Sequence, residues 1–198
     1  VDLTTTGTFQ IDGGGSYIHN NTGAASTTIF DGTESFAATS SVEIRNWSGI
    51  SSSLITGVTL PFGNLTINWS SNSGDWQWSS SGSVNLCAGN FTISSTGSGT
   101  LIFGAGSGPT LTISGNFTMS NGTLNMSSGS GATGINLSVN FNMSGGTITE
   151  SSSGSGTIAF VGSTAQTYIK SSGTISNKIN FTVNNSNGIT LNNDLVIN

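Results

Sequence analysis

The chain has 198 residues, a length for one domain or one run of repeats. Charged residues make up 6%, hydrophobic residues 33%, and the net charge is −5, so the low hydrophobicity and high charge of an ordinary disordered chain are missing. Three basic residues, Arg45, Lys170 and Lys178, are too few to neutralise a run of phosphates, which argues against nucleic acid, and no apolar run approaches the roughly 20 residues of a membrane helix, so no membrane insertion is expected.

Residues 1–62 are the least regular part and read as irregular N-terminal laps or a cap. The chain begins at Val1 with neither an initiator Met nor a signal peptide, and it stops within the strand-like Leu195-Val196-Ile197; it reads as a processed piece of something longer. Gly7-Thr8-Phe9-Gln10-Ile11-Asp12 alternates as a strand does, and Ser16-Tyr17-Ile18-His19 follows the Gly13-Gly14-Gly15 turn. Further strands are expected at Thr27-Thr28-Ile29-Phe30, before the turn pair Asp31-Gly32, at Ser41-Val42-Glu43-Ile44-Arg45, and at Val58-Thr59-Leu60.

From residue 63 to 198 the rhythm becomes firm. One phrase returns as Gly63-Asn64-Leu65-Thr66-Ile67-Asn68, Gly89-Asn90-Phe91-Thr92-Ile93-Ser94, Gly115-Asn116-Phe117-Thr118-Met119-Ser120, Val139-Asn140-Phe141-Asn142-Met143-Ser144 and Ile179-Asn180-Phe181-Thr182-Val183-Asn184. Its asparagines are 26, 26, 24 and 40 residues apart. Alternating apolar and polar residues at a period in the mid-twenties mark a stacked solenoid. Within one lap the phrase strand is followed by Thr100-Leu101-Ile102-Phe103 and Thr110-Leu111-Thr112-Ile113-Ser114, with Gly/Ser turns between. The reading is all-β: a parallel β-helix with three short strands per lap, about seven or eight laps and a rod of roughly 35 Å. A β-sandwich built from hairpins is the alternative, and Asn121-Gly122 and Asn187-Gly188 are the turn pairs that favour it.

In the solenoid reading Leu65, Phe91, Phe117, Phe141 and Phe181 stack as one core column, with Ile67, Ile93, Met119, Met143 and Val183 beside them. Asn64, Asn90, Asn116, Asn140 and Asn180 form a ladder of side-chain amides, as in cross-β stacks. Charges repeated at rung spacing repel, which accounts for their scarcity. The outward Thr66, Thr92, Thr118 and Thr182, interrupted by Asn142, read either as a flat hydroxyl array suited to ice or crystalline polysaccharide, or simply as an uncharged β surface.

Candidate chemistry is thin. Cys87 is the single cysteine, so no disulfide forms within the chain, and with His19 far away in sequence it reads as a small core residue. The acids group locally only as Asp31 with Glu34 and as Glu43 near Arg45, which supplies neither a metal site nor the paired carboxylates of a glycosidase. No catalytic residue, metal or cofactor is expected. Twelve Asn-x-Ser/Thr sequons occur, but the repeat itself generates most of them. Trp69 continues the inward phase of Leu65 and Ile67. Trp76 and Trp78 share one face, either core or an exposed platform, and Trp47 is out of phase with Val42 and Ile44 and is expected to be exposed. Exposed indoles stack on sugar rings, so Trp47, Trp76 and Trp78 are the candidate ligand-binding residues. His19 beside Tyr17 reads as a structural imidazole.

The phrases Gly15-Ser16-Tyr17-Ile18-His19-Asn20-Asn21, Phe62-Gly63-Asn64-Leu65-Thr66, Ala165-Gln166-Thr167-Tyr168-Ile169 and Gly188-Ile189-Thr190-Leu191 resemble the repeat regions of very large secreted bacterial surface proteins exported by the type IX system. That resemblance implies an extracellular β-helical region of an adhesin-like or structural protein, and no catalytic residue. The expected function is a structural module, an adhesin stalk or surface-fibre building block; the alternative is a carbohydrate-binding module. The expected partners are neighbouring repeats or identical subunits at the open helix ends, with surface glycans as a further possibility.

Overall fold

The computed structural model describes residues 8–22, 33–47, 61–77, 83–104, 106 and 108–195. Every strand pairing among these residues is parallel, so the chain is a β-solenoid and the hairpin sandwich is discarded. The predicted strands at 27–30 and 58–60 lie outside the described residues.

Three sheets wrap one apolar interior. The long face has eight strands, Ser16–Asn21, Ser41–Trp47, Asn64–Asn68, Phe91–Ser95, Phe117–Met119, Phe141–Met143, Gln166–Lys170 and Ile189–Leu191, hydrogen-bonded in that order. Seven steps at the usual strand spacing give a height of about 34 Å. The second face contains Ser83–Cys87, Thr110–Ile113, Thr133–Leu137, Gly156–Phe160 and Ile179–Val183. The third contains Trp76–Gln77, Thr100–Ile102, Thr123–Asn125, Thr147–Thr149 and Thr174–Ile175. Thr8–Ile11 and Thr33–Phe36 form a separate parallel pair that precedes the long-face strands just as the second-face strands do later. Position 63 is no boundary, because Ser41–Trp47 pairs directly with Asn64–Asn68.

Alternation along each strand turns every second residue inward, and the parallel register sets equivalent residues above one another. Val42, Leu65, Phe91, Phe117, Phe141 and Tyr168 make one buried column. Ile44, Ile67, Ile93, Met119 and Met143 make the next. On the second face Phe62 bridges to Cys87, which continues through Ile113, Leu137 and Phe160 to Val183. Burial of each such side chain contributes roughly 1.5–3 kcal/mol.

One assignment is corrected. Phe181 does not cap the phenylalanine column; it pairs with Ile158 on the second face. Tyr168 takes the place above Phe141, and Val183 and Thr182 move to the second face with Phe181. The interval of 40 residues is the reason. It is more than one lap and less than two, so a like-sounding phrase lands on a different wall.

The corners absorb much of the variation in lap length, and bulges within the strands the rest. Between the third and second faces the chain uses 103–109, then 126–132, then 150–155, then only 176–178, while the sheets on either side stay in register. Between the long and third faces the corner is tight. Gly97, Gly122, Gly146 and Gly173 occupy it with φ of 63°, 88°, 79° and 85°, a region that glycine enters at little steric cost. At Gly97 a Cβ would stand 2.1 Å from the carbonyl oxygen of Asn72, one lap below.

Candidate functional site

The most regular polar structure is the corner from the second to the long face. The Oδ1 of Asn64 accepts the backbone N–H of Asn90 at 2.9 Å and its side-chain Nδ2 at 3.2 Å. Asn90 receives the same two bonds from Asn116, at 2.8 and 3.0 Å. Asn116 Oδ1 then accepts the N–H of Asn140 at 3.1 Å, and Asn140 Oδ1 that of Thr167 at 2.8 Å. Amides bond to one another from Asn64 to Asn116, and the column continues to Asn140 through a component that periodicity does not reveal: each side chain also satisfies a backbone donor in the lap above. Asn180 is not part of it, because Asn180 pairs with Thr157 on the second face and is exposed. Where the ladder ends, Gln166 takes over as a buried plug. Its Nε2 donates to the carbonyl of Leu137, and its Oε1 accepts from Gly162 N–H and Asn185 Nδ2.

The tryptophans give a different result from the expected platform. Trp47 is fully buried. The pairing of Ser16–Asn21 with Ser41–Trp47 shifts register between His19 and Asn20, where Ile44 and Asn46 are the partners and Arg45 is left over. This bulge advances the phase by one residue and turns Trp47 inward, edge-on to His19 at 5.5 Å. Trp76 is 1% exposed and meets Trp69 edge-to-face, centroids 5.5 Å apart and planes at 75°. Neither Trp47 nor Trp76 presents a ring face to solvent, so the expected exposure of Trp47 does not hold. Trp78 lies outside the described residues. Trp69 is core, as its phase indicated. A shallow recess bounded by Asn21, Asn46 and Ser71 lies over Trp47 and Trp69, of which only Trp69 keeps a small exposed margin.

The remaining chemical groups are structural in placement. His19 occupies an inward position and its Nδ1 lies 3.1 Å from the Tyr17 hydroxyl. Cys87 is buried in the second-face column, and burial pushes its thiol pKa far up, so it is held protonated. On the outer surface Arg45 donates two hydrogen bonds to Glu43, at 2.9 and 3.0 Å. That guanidinium holds the Glu43 carboxyl below its ordinary range; burial opposes it, and a 2.8 Å bond from Asn68 assists to a lesser degree. Asp31 lies outside the described residues, and Glu34 is buried. Among the described residues no group of three or more His, Cys, Asp or Glu side chains converges as metal ligands would.

The outward column of the long face reads Ile18, Glu43, Thr66, Thr92, Thr118, Asn142, Ile169. Three threonines align; Thr182 instead pairs with Ala159 on the second face. The hydroxyl row is therefore three rungs long, flanked by asparagine and charge. At the far end of the rod Val183 and Leu191, the last members of their columns, are each 48% exposed.

No known protein family, curated protein or solved structure matches the chain. The class it falls in is defined by its geometry alone, a parallel β-solenoid with an asparagine ladder at one corner.

Proposed function

We propose that the chain is a passive extracellular module, a stalk segment or surface-fibre building block, that works by being stiff and stackable. The observation that carries this reading is continuity. Apolar columns run from lap to lap from Val42 to Tyr168, and the asparagine ladder from Asn64 to Asn140, so bending the rod would separate many contacts together. Stability in such arrays is a sum over neighbouring laps, and stacking more laps lengthens the rod without a new design. The half-exposed Val183 and Leu191 on the terminal rung support a partner that adds a further lap, either more repeats or an identical subunit. An uncharged Ser/Thr/Asn surface and a sealed thiol suit an oxidising exterior.

The test is electron microscopy of the chain alone and of tandem fusions of two and three copies. Rods whose length grows in proportion to copy number are expected. Globules of constant aspect ratio, or copies joined by free hinges, would remove the stiff-spacer reading.

A further inference from the structure

Two Asn-Gly pairs occur in almost the same local sequence, Ser120-Asn121-Gly122-Thr123 and Ser186-Asn187-Gly188-Ile189. Both asparagines are exposed. The fold treats them very differently. At the first pair the backbone nitrogen of Gly122 donates to Oδ1 of Asn121 itself, at 2.8 Å. That oxygen is only about 1.2 Å from Cγ, which keeps the nitrogen within about 4 Å of the side-chain amide carbon. At the second pair the backbone nitrogen of Gly188 is turned away, donating to the carbonyl of Asn185 at 3.0 Å. The Asn187 side chain is pulled in another direction, its Nδ2 donating to the Ser163 carbonyl at 2.8 Å.

We propose that Asn121 is a self-modification site: in the folded protein it converts spontaneously through a cyclic imide, while the near-identical Asn187 is protected. The Gly122 nitrogen loses its proton to solvent base and attacks Cγ of Asn121. A C–N bond forms, the Cγ–Nδ2 bond breaks, and the amide nitrogen takes up a proton and leaves as ammonia. Water then opens the five-membered imide at either carbonyl, giving aspartate or its β-linked isomer. No oxidant or enzyme enters the balance. Holding the attacking atom against its target replaces a chain search, which is the ordinary source of intramolecular rate gains. Glycine after the asparagine leaves the nucleophile unshielded by any side chain.

The site matters because of what lies above it. A Cβ on Gly146, in the next lap, would stand 2.8 Å from the Gly122 oxygen and 3.0 Å from the Asn121 carbonyl carbon. Aspartate leaves the backbone path unchanged. The β-linked isomer adds one carbon to it directly beneath Gly146, and so separates two laps at their tightest corner. Conversion thus marks the age of each molecule and picks the lap at which it first loosens.

The experiment is a time course at mildly alkaline pH and 37 °C, on the native chain and on the chain in concentrated urea, read by peptide mass spectrometry with separation of the two acidic isomers. In urea both sites should convert at similar rates. In the native chain Asn121 should convert several-fold faster than Asn187, and Asn121→Gln should abolish the fast product while leaving the Asn187 rate as it was. Equal native rates, a faster Asn187, or no native conversion at Asn121 over a period in which the urea sample reacts would each overturn the proposal.

Discussion

The ring of Phe141 lies flat on that of Tyr168, centroids 5.1 Å apart and planes 8° from parallel. Phe181 closes the pair from the side, meeting Tyr168 edge-on at 5.6 Å and 86°. Tyr168 thus does the work that the repeat phrase assigns to Phe181. Its removal opens a hole between two laps and two walls. Tyr168→Ala should lower stability by about 3–5 kcal/mol, and Tyr168→Phe by far less, since the ring contacts remain. Urea unfolding followed by circular dichroism checks both, and similar midpoints for the Ala variant and the parent would contradict the stacking.

The ladder makes a second prediction, with its own control. Asn90→Ala removes the acceptor of the Asn116 N–H at a solvent-accessible corner, at a cost of about 0.5–1.5 kcal/mol. Asn180→Ala, at an exposed position on another wall, should change stability by no more than about 0.5 kcal/mol. Equal losses at the two positions would return Asn180 to the ladder.

Alkaline pH should destabilise the fold in two stages. Burial raises the thiol pKa of Cys87 and, likewise, the phenol pKa of Tyr168. Both groups stay protonated in the folded chain at pH values where the unfolded chain releases the proton, so the unfolded state binds fewer protons and stability falls as pH rises. The contribution is complete at neutral pH. It declines above about 8.5 for the thiol and above about 10 for the phenol, the values of the unfolded groups. Thermal midpoints measured across this range should fall, and Cys87→Ala should flatten the first part of the decline. An unchanged slope in that variant would show that the thiol is not the source.

Buried indoles are open to a spectroscopic check. In a Trp78→Phe variant the emission comes from Trp47, Trp69 and Trp76, all inward. It should be blue-shifted and almost untouched by iodide. Trp47→Ala should cost about 3–5 kcal/mol and leave no sugar-stacking surface to lose. Strong iodide quenching would restore the exposed platform.

Much of the architecture was legible because Leu65, Phe91 and Phe117 repeat at intervals of one lap, and parallel pairing turns that interval into a column. Two errors have definite causes. Asn180-Phe181 repeats the wording of the long face on the second face, since every wall of a solenoid needs the same apolar alternation. Counting in twos from Val42 puts Trp47 outside, and the bulge at Arg45 adds a residue that such counting cannot see. The hydrogen bonds from one lap's backbone to the asparagine below it depend on corner geometry, which composition does not encode.

The corner between the third and second walls shrinks from seven residues at 126–132 to three at 176–178 without moving either sheet. A segment that nature trims so freely is a natural graft point. Foreign peptides set into it near the exposed Ser130 would hang from the shaft like flags, one per storey, at spacings fixed by the rungs beneath them.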